Sequence, residues 1–283
     1  MAPTTDSSYA VRLRGLSKYF PIRFGLGRKP VLRDIQLDVV RGQILGLVGP
    51  NGSGKSTLQK ILAGVERQSS GQVEVLGATL DDDKLRARIG YVPEDSPFPG
   101  ELKPRALLAL LGSLQGMSAN LIRSRGDELL ERVGLADHTN KSLRRYSRGM
   151  LRRFALAQAW LHNPDLILLD EPTAGLDAPG FDVLEDLLSE ARERGATIVF
   201  SSHLISDLHK HCDELVILCD GRIGGQGKPA ELLSRPGCWR FEVSGMGPLQ
   251  LDGLEDWVRE HGGELGEVSA SGRSLFELYK GQG

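Results

Sequence analysis

A glycine-rich run between an apolar segment and a helix-forming segment is the feature that most constrains the fold. The apolar segment is Ile44–Val48, and the run that follows it is Gly49-Pro50-Asn51-Gly52-Ser53-Gly54-Lys55-Ser56-Thr57. It satisfies the pattern G-x4-G-K-[ST], in which a buried strand turns into a helix around a phosphate. The sequence therefore predicts a strand at Ile44–Val48, a helix at Ser56–Ala63 and a phosphate-binding loop between them.

The residue types of this loop suit a polyphosphate. Its glycines let successive backbone N–H groups approach an anion that a Cβ would obstruct. Lys55 can place its ammonium against the β- and γ-phosphates, and Ser56 offers a hydroxyl to Mg²⁺ at the positive end of the predicted helix. A glycine-rich turn that binds nothing is the alternative, but it does not account for the strand and the helix on either side. The loop predicts nucleotide binding without specifying a reaction.

A second apolar segment ends in two carboxylates. Leu166–Leu169 is apolar throughout and is followed directly by Asp170 and Glu171. An isolated buried carboxylate is costly, so Asp170 requires donors or a cation, and Mg²⁺ held by Ser56 would meet that requirement. Glu171 points elsewhere and can polarise an attacking water as a general base. An ordinary acidic strand end is the alternative, and the presence of Lys55 and Ser56 argues against it.

A histidine is predicted near the same edge of the sheet. His203 follows the predicted strand Thr197–Ser201, at the end where parallel sheets place their ligand contacts. There its imidazole can hydrogen-bond a terminal phosphate. A lone histidine is also a common structural residue, and the residues alone leave both interpretations open.

The remaining pattern predicts an α/β fold with a largely parallel sheet. Val11–Leu16 and Ile35–Val40 alternate apolar and polar residues, as half-buried strands do. Short apolar runs separated by amphipathic segments are typical of strands buried on both faces. These runs are Ile44–Val48, Ile167–Asp170, Ile198–Ser201 and Leu215–Cys219. The interval Pro104–His162 is helical in pattern, with Pro104 at a first helical position and Ser118 as a cap.

The end of the chain has separate signals. Asp220-Gly221 predicts a hairpin, and Pro229–Ser234 predicts a short helix. The segment 238–283 alternates at Trp239–Val243 and is helical in pattern around Leu254–Glu260. It therefore predicts a small α/β appendage.

Composition excludes several classes of protein. The 283 residues include 35 basic and 37 acidic side chains, a formal charge of −2. That balance argues against a dedicated nucleic-acid coat or a polybasic membrane binder. The longest apolar runs are far below the roughly 18 residues that span a bilayer, and the polar N-terminus lacks a signal-peptide segment. Three cysteines without a CxxC pair do not support a disulfide scaffold, so the sequence predicts a cytoplasmic protein.

Taken together, the motifs resemble the ATP-binding subunit of ABC transporters. Tyr146–Met150 resembles the signature motif of that family in its S-x-G-M form. It stands just ahead of Asp170–Thr173, as the family's order requires. Ala174–Asp177 resembles the D-loop, and Ser202-His203 resembles the switch histidine.

The resemblance covers roughly residues 10–235 and implies an architecture. It implies a P-loop NTPase with a RecA-like, mostly parallel sheet core and an N-terminal antiparallel β subdomain. A helical signature subdomain is expected at about 103–162 of this ATP-binding domain. A small C-terminal α/β appendage at 238–283 would complete the chain, and its Ser274–Tyr279 is similar to the tail of ABC-2-type exporter subunits.

The resemblance also implies that two copies share one reaction. In the family, two domains enclose two ATP molecules, and the signature of one copy completes the site of the other. Ser147 would donate a hydroxyl there and Gly149 a backbone N–H, beside the positive end of the following helix. An aromatic side chain also stacks on adenine after the first strand. Phe20 matches that position best, Tyr19 is the second possibility, and core packing of both stays open.

One position departs from the family pattern. After Ile89–Pro93 the family usually has a glutamine that touches Mg²⁺ and transmits closure to the membrane partner, and here Glu94 takes its place. A carboxylate can still bind the metal while adding negative charge near the phosphates. Glutamate at this position is familiar in the ABC-2 exporter subtype. The predicted metal ligands are therefore Ser56, Glu94 and Asp170.

Other charged clusters have simpler interpretations. Five arginines in the signature region are interpreted as interface and phosphate-facing charges rather than as a nucleic-acid patch. They are Arg144, Arg145, Arg148, Arg152 and Arg153. His209 and Cys212 share a predicted helix face, but a metal site there is not favoured. The basic loop Arg23–Lys29 is interpreted as a solvated hairpin, with a ribose or phosphate contact as the alternative, and Asp81–Asp83 as favourable charge at a helix start.

The predicted function is an ATPase motor. ATP binding closes a homodimer, hydrolysis by a water that Glu171 activates reopens it, and separate transmembrane permease subunits move. The subunit would then be peripheral on the inner face of the cell membrane, with no nucleic-acid partner. The rival is a soluble ABC ATPase that acts on nucleic acid or as an assembly scaffold, but the chain has neither a second cassette nor a large insertion. A P-loop kinase is a further alternative, in which Ser147-Arg148-Gly149 would have no purpose.

Overall fold

The computed structural model describes residues 8–22, 27–203 and 211–233, together with 259, 260 and 262. The chain divides into two compact units, Met1–Leu233 and Ser234–Gly283, and all strands and helices given below belong to the first. Except for those last three positions, the predicted appendage at 238–283 lies outside the described residues and stays a prediction, as do the domain bounds. Within the described ranges, no helix has the length and apolar character that a bilayer crossing requires.

An antiparallel sheet of four strands begins the fold. Strands β1 (Tyr9–Pro21), β2 (Arg28–Val40), β4 (Ser70–Val75) and β5 (Ala78–Thr79) lie in the order β2-β1-β4-β5. The alternating segments predicted at Val11–Leu16 and Ile35–Val40 lie within the first two of these strands. The predicted N-terminal antiparallel β subdomain is confirmed.

The second sheet has six strands in the order β10-β9-β3-β8-β7-β6. Their bounds are β3 Ile44–Val48, β6 Ile89–Val92, β7 Leu166–Asp170, β8 Thr197–Ser202, β9 Glu214–Cys219 and β10 Arg222–Gly227. All neighbouring pairs are parallel except β9 and β10, which form the predicted hairpin. Asp220 and Gly221 both have positive φ, 49° and 74°, as the turn that suits a twisted hairpin requires. The mostly parallel core is confirmed.

The apolar runs of the large sheet are buried because both faces carry a core. Along β7, Ile167 and Leu169 face one hydrophobic cluster, whereas Leu166 and Leu168 face the other. Successive side chains of a strand point to opposite faces, so a run of apolar residues fills two cores at once. One core packs against the helices of the signature region, and the other against α1 (Lys55–Leu62) and the antiparallel sheet.

The segment 104–162 is helical, as predicted. Its helices are α2 (Pro104–Leu114), α3 (Ala119–Arg132) and α4 (Arg148–Trp160), and two 3₁₀ turns, at Ala136–His138 and Leu143–Arg145, lie between α3 and α4. Pro104 occupies the start of α2, and the Ser118 hydroxyl accepts from the Leu121 N–H at the start of α3. Ser147 caps α4 in the same way through the N–H of Met150 at 3.2 Å.

Three further elements complete the described fold. A 3₁₀ helix spans Asp83–Arg88, α5 spans Ala178–Glu193, and α6 spans Pro229–Leu233. The Asp82 carboxylate accepts from the Lys84 N–H before the first of them. The acidic run therefore provides a cap, and not only favourable charge at the helix start.

Candidate functional site

The loop between β3 and α1 packs closely against two neighbouring strands at two of its glycines. A Cβ at Gly49 would lie 2.2 Å from the carbonyl oxygen of Leu218 on β9. Gly54 has φ 110°, and a Cβ there would lie 2.7 Å from Leu32 on β2. Both positions therefore require glycine for the fold as well as for any ligand. Helix α1 begins at Lys55, one residue earlier than predicted.

The turn of the β9–β10 hairpin supports this loop. The Gly221 N–H donates to the Ser53 carbonyl at 3.1 Å, and the Gly221 carbonyl accepts from the Arg33 N–H at 2.8 Å. The turn is thereby joined to both the loop and β2. The sequence predicts the hairpin but not this contact, because nothing local to Asp220-Gly221 indicates which element the turn touches.

A cleft of about 850 Å³ opens above the loop. Its walls contain the predicted residues Asn51, Gly52, Ser53, Gly54, Lys55, Ser56, Thr57, Glu94 and Glu171. They also contain Lys29, for which a ribose or phosphate contact is the alternative interpretation, and residues of β2 and the hairpin turn that the sequence does not indicate, namely Pro30, Val31, Arg33, Asp220 and Gly221. The cleft is large enough for a nucleotide.

Lys55 lines the cleft, and its ammonium lies close to oxygen atoms. The residue is buried, and Nζ donates to the Gly49 carbonyl at 2.7 Å. The carboxylate oxygen Oε1 of Glu171 is 3.4 Å from the same nitrogen. These are the partners that a bound phosphate would compete with.

Asp170 is almost fully buried, at 1% exposure, and its two carboxylate oxygens differ in their hydrogen bonds. Oδ1 accepts from the hydroxyls of Ser56 at 3.1 Å and Ser201 at 2.8 Å. Oδ2 is buried and has no hydrogen-bond partner among the residues that the structure describes. A buried charged oxygen without a donor is costly, so this atom has the chemistry of a cation ligand. Ser201 was not predicted as a site residue, although it pairs with Asp170 across β7 and β8.

Glu171 has a backbone conformation that a side-chain-bearing residue rarely adopts. Its φ is 47°, and its N–H donates to the carbonyl and the hydroxyl of Ser201, both at 3.2 Å. Its Oε2 lies 2.8 Å from Nδ1 of His203, a side chain about half exposed. Strain of this kind persists only where the surrounding structure enforces it. The result is a carboxylate held between an ammonium and an imidazole at the edge of the cleft.

Two of the five signature-region arginines, which the sequence suggests are interface and phosphate-facing charges, bond instead to groups of their own chain. Arg152 is buried and donates only to backbone carbonyls among the described contacts. Arg153 pairs with Asp177 at 3.1 Å and also donates to the Val133 carbonyl. Alternating charges in a helix do not reveal which arginines turn inward, because buried carbonyl acceptors leave no mark in the sequence.

The signature segment is packed against the D-loop of its own chain. Ser147 and Arg148 are exposed at the start of α4. A Cβ at Gly149 would lie 2.7 Å from the Asp177 carboxylate, which leaves no room for a side chain. The walls of the cleft, as far as the structure describes them, contain no residue of 146–150.

Phe20 lies at the end of β1, opposite Lys29 of the cleft wall. The Lys18 ammonium is 4.7 Å from the centre of its ring, and Tyr19 is 38% exposed. Adenine stacking by Phe20 or Tyr19 stays a prediction. The loop 23–26, His209 and most of the chain beyond residue 233 lie outside the described residues.

Comparison with known proteins identifies relatives along the whole chain. A family model described as ABC transporter matches residues 32–174. An uncharacterized ABC transporter ATP-binding protein of Nostoc sp. is 35% identical over 305 residues, covering 99% of this chain and 91% of the relative. A Nod factor export ATP-binding protein of Bradyrhizobium diazoefficiens is 33% identical over 273 residues, covering 95% and 85%.

A solved structure is similar to this chain in fold. The ATP-binding cassette MJ0796, in a dimeric post-hydrolysis state bound to ADP and Pi, superposes with a TM-score of 0.71. It is 27% identical in sequence, and the match covers 77% of this chain and 98% of that structure. The match therefore agrees with the α/β architecture of the first unit.

Proposed function

Because the chain belongs to the ABC transporter family as an ATP-binding subunit, we propose that it powers an exporter whose membrane-spanning subunits are separate chains. Members of the family are ATPases, and their cassettes dimerise within transporter complexes. The similarity to a Nod factor export protein supports the direction of transport. This subunit would lie on the cytoplasmic face of the membrane, held there through the permease.

The loop at 49–57 is the proposed binding site for the ATP phosphates. Residues 51–57 line the cleft, and α1 begins among them at Lys55, so the positive end of a helix lies beside the cleft. A γ-phosphate would draw the Lys55 ammonium away from Glu171. The observation that carries the proposal is that the loop contacts both carboxylates, since the Lys55 ammonium is 3.4 Å from Glu171 and the Ser56 hydroxyl donates to Asp170 at 3.1 Å.

Mg²⁺ is the cation that fits the second part of the site. Ser56 and Asp170 already share a hydrogen bond, no described residue donates to Oδ2 of Asp170, and Glu94 lines the cleft together with Ser56. Oxygen ligands of this kind are those that Mg²⁺ prefers. When bound, it would neutralise charge on the β- and γ-phosphate oxygens.

Glu171 is the proposed general base for the attacking water. Glu171 lines the cleft, where its Oε2 is 2.8 Å from Nδ1 of His203 and its Oε1 is 3.4 Å from the Lys55 ammonium. Release of Lys55 to the γ-phosphate would leave Oε1 free to accept a proton from water. His203 would keep the carboxylate oriented and could also reach the γ-phosphate.

The exposed signature is proposed to act on the nucleotide of a second copy. Ser147 and the start of α4 form a positive, hydrogen-bonding surface outside the walls of their own cleft. In a homodimer they would meet the γ-phosphate held by the partner. Two ATP molecules would then each be enclosed by a phosphate loop from one copy and a signature from the other.

Substitution of Ser147 by Asp tests the shared site. Aspartate caps a helix as well as serine does, so α4 should persist, but its charge would repel the partner's γ-phosphate. We expect Ser147→Asp to bind ATP normally and to lose both ATP-dependent dimerisation and hydrolysis. Ser118→Asp, at the equivalent cap of α3, is the matched control and should change neither.

Mixing Ser147→Asp with Lys55→Ala sharpens this test. In the mixed dimer one site has both lesions and the other has neither, so part of the hydrolysis should return. Full activity in Ser147→Asp alone would contradict the shared site.

Purification of the tagged chain from solubilised membranes tests transport separately. It should bring down a polypeptide with several apolar segments of about 20 residues each, and its absence would count against the exporter.

A further inference from the structure

Arg152 connects two chain segments that border the cleft. It lies one turn inside α4 beyond Gly149, and only 5% of it is exposed. Nη1 donates to one segment at 2.5 and 3.0 Å, Nη2 to the other at 2.8 and 2.5 Å, and Nε to the latter at 3.2 Å. The acceptors are the carbonyl oxygens of Pro93 and Glu94 in the first segment and of Asp170, Glu171 and Pro172 in the second.

These contacts begin where the sheet ladder stops. Strands β6 and β7 are paired from Ile89 with Leu166 to Val92 with Leu169. The next residues along each chain are the acceptors of Arg152. A guanidinium has a planar array of donors, so one side chain can bridge both segments at a fixed spacing. Beyond the paired residues of β6 and β7, the side-chain hydrogen bonds of Arg152 therefore connect the two segments in place of backbone hydrogen bonds.

The bridged segments carry the carboxylates of the site. Glu94 is on the first, and Asp170 and Glu171 are on the second. The strained backbone of Glu171 is held on one side by Ser201, through its N–H, and on the other by Arg152, through its carbonyl. Burial lowers the pKa of Arg152, and the neighbouring carboxylates of Asp170 and Glu94 oppose that effect.

We propose that Arg152 is a positioning residue for hydrolysis, which sets the separation of Glu94 from Asp170 and aims the Glu171 carboxylate at the cleft. Because it belongs to the helix that begins with the signature, it also connects that helix to the carboxylates. The inference rests on the proposed role of Glu171 and adds a residue that does not itself touch the nucleotide.

The test compares Arg152→Lys and Arg152→Gln with Arg194→Gln. Lysine keeps the charge but not the planar donors, so it cannot reproduce all five bonds. Arg194 is the matched control, since it is also partly buried and donates to a backbone carbonyl, that of Pro164, outside the cleft walls. We expect Arg152→Lys to lower kcat about tenfold or more while ATP affinity stays within about threefold, as displacement of a catalytic group does. The control should lower the melting temperature and leave kcat per folded protein unchanged.

A double substitution separates positioning from general stability. If Arg152 acts through Glu171, Arg152→Lys should cause little further loss of turnover in a Glu171→Gln background. Wild-type kcat in Arg152→Lys, full additivity in the double variant, or equal loss of ATP affinity and kcat would each overturn the proposal. If Arg152→Gln does not fold, the lysine variant decides. Wild-type turnover in Glu171→Gln alone would instead contradict the proposed base, a failure distinct from that of Arg152.

Discussion

Substitution of Glu171 by Gln should have two opposite effects, on turnover and on ATP affinity. The neutral amide keeps the shape of the side chain but cannot accept a proton from water, so turnover should fall by about 10²- to 10⁴-fold. Affinity for the triphosphate should rise, because Lys55 no longer has to leave a carboxylate in order to meet the γ-phosphate. The second effect follows from the 3.4 Å distance between Lys55 Nζ and Glu171 Oε1.

The size of the affinity gain can be worked from that distance. Two unit charges 3.4 Å apart attract by about 5 kcal/mol at an effective dielectric constant of about 20. Most of this is offset by the cost of desolvating both groups, and Lys55 keeps its bond to the Gly49 carbonyl. A net change of about 1–2 kcal/mol corresponds to a gain of roughly 5- to 30-fold in affinity.

Titration with a non-hydrolysable ATP analogue measures this gain without interference from turnover. The protein should be dilute enough to remain monomeric. Asp165→Asn is the matched control, since it removes an ion pair of similar length, 2.7 Å to Arg88, outside the walls of the cleft. Unchanged or weaker binding by Glu171→Gln would refute the competition for Lys55, and wild-type turnover would refute the base.

Two other predictions follow from single groups. Lys55→Ala should weaken ATP binding itself, because it removes a charge-assisted contact with the phosphates, and titration that finds unchanged affinity would count against the phosphate loop. Burial lowers the pKa of His162 to about 4, while its ring nitrogen lies 3.1 Å from the Ile89 carbonyl. The unfolded state therefore binds more protons between about pH 6.5 and 4, so about 3 kcal/mol of stability is present above that range and lost as the pH falls through it. Unfolding by urea across this range should show the slope in wild type and a weaker slope in His162→Gln; equal slopes would contradict the assignment.

The sequence predicted the elements that carry strong local patterns. The strand Ile44–Val48 was placed with its bounds correct, because five apolar residues ended at a glycine-rich turn. Pro104 and Ser118 located the helix starts for the same kind of reason, since proline and serine act on the residues next to them. The family resemblance is likewise confirmed, because it rests on several motifs in a fixed order.

Contacts between distant segments cannot be predicted from local sequence patterns. Ser201 meets Asp170 only because β7 and β8 are neighbours in one register. Arg152 is interpreted from the sequence as an interface or phosphate-facing charge, although its acceptors are backbone carbonyls that any residue supplies. In both cases the side chain is identifiable in the sequence but its partner is set by topology.

The joint between the β9–β10 turn and the phosphate loop has a consequence for the order in which the site can form during synthesis. The loop ends at residue 57, yet Gly49 packs on Leu218 and Ser53 accepts a hydrogen bond from Gly221. A ribosome therefore has to make more than 160 further residues after the loop before its last supports exist. Contacts between such distant segments form slowly, because a long chain has to close first. Until Gly221 has been added, the nascent chain contains the whole glycine-rich motif without the scaffold that shapes it.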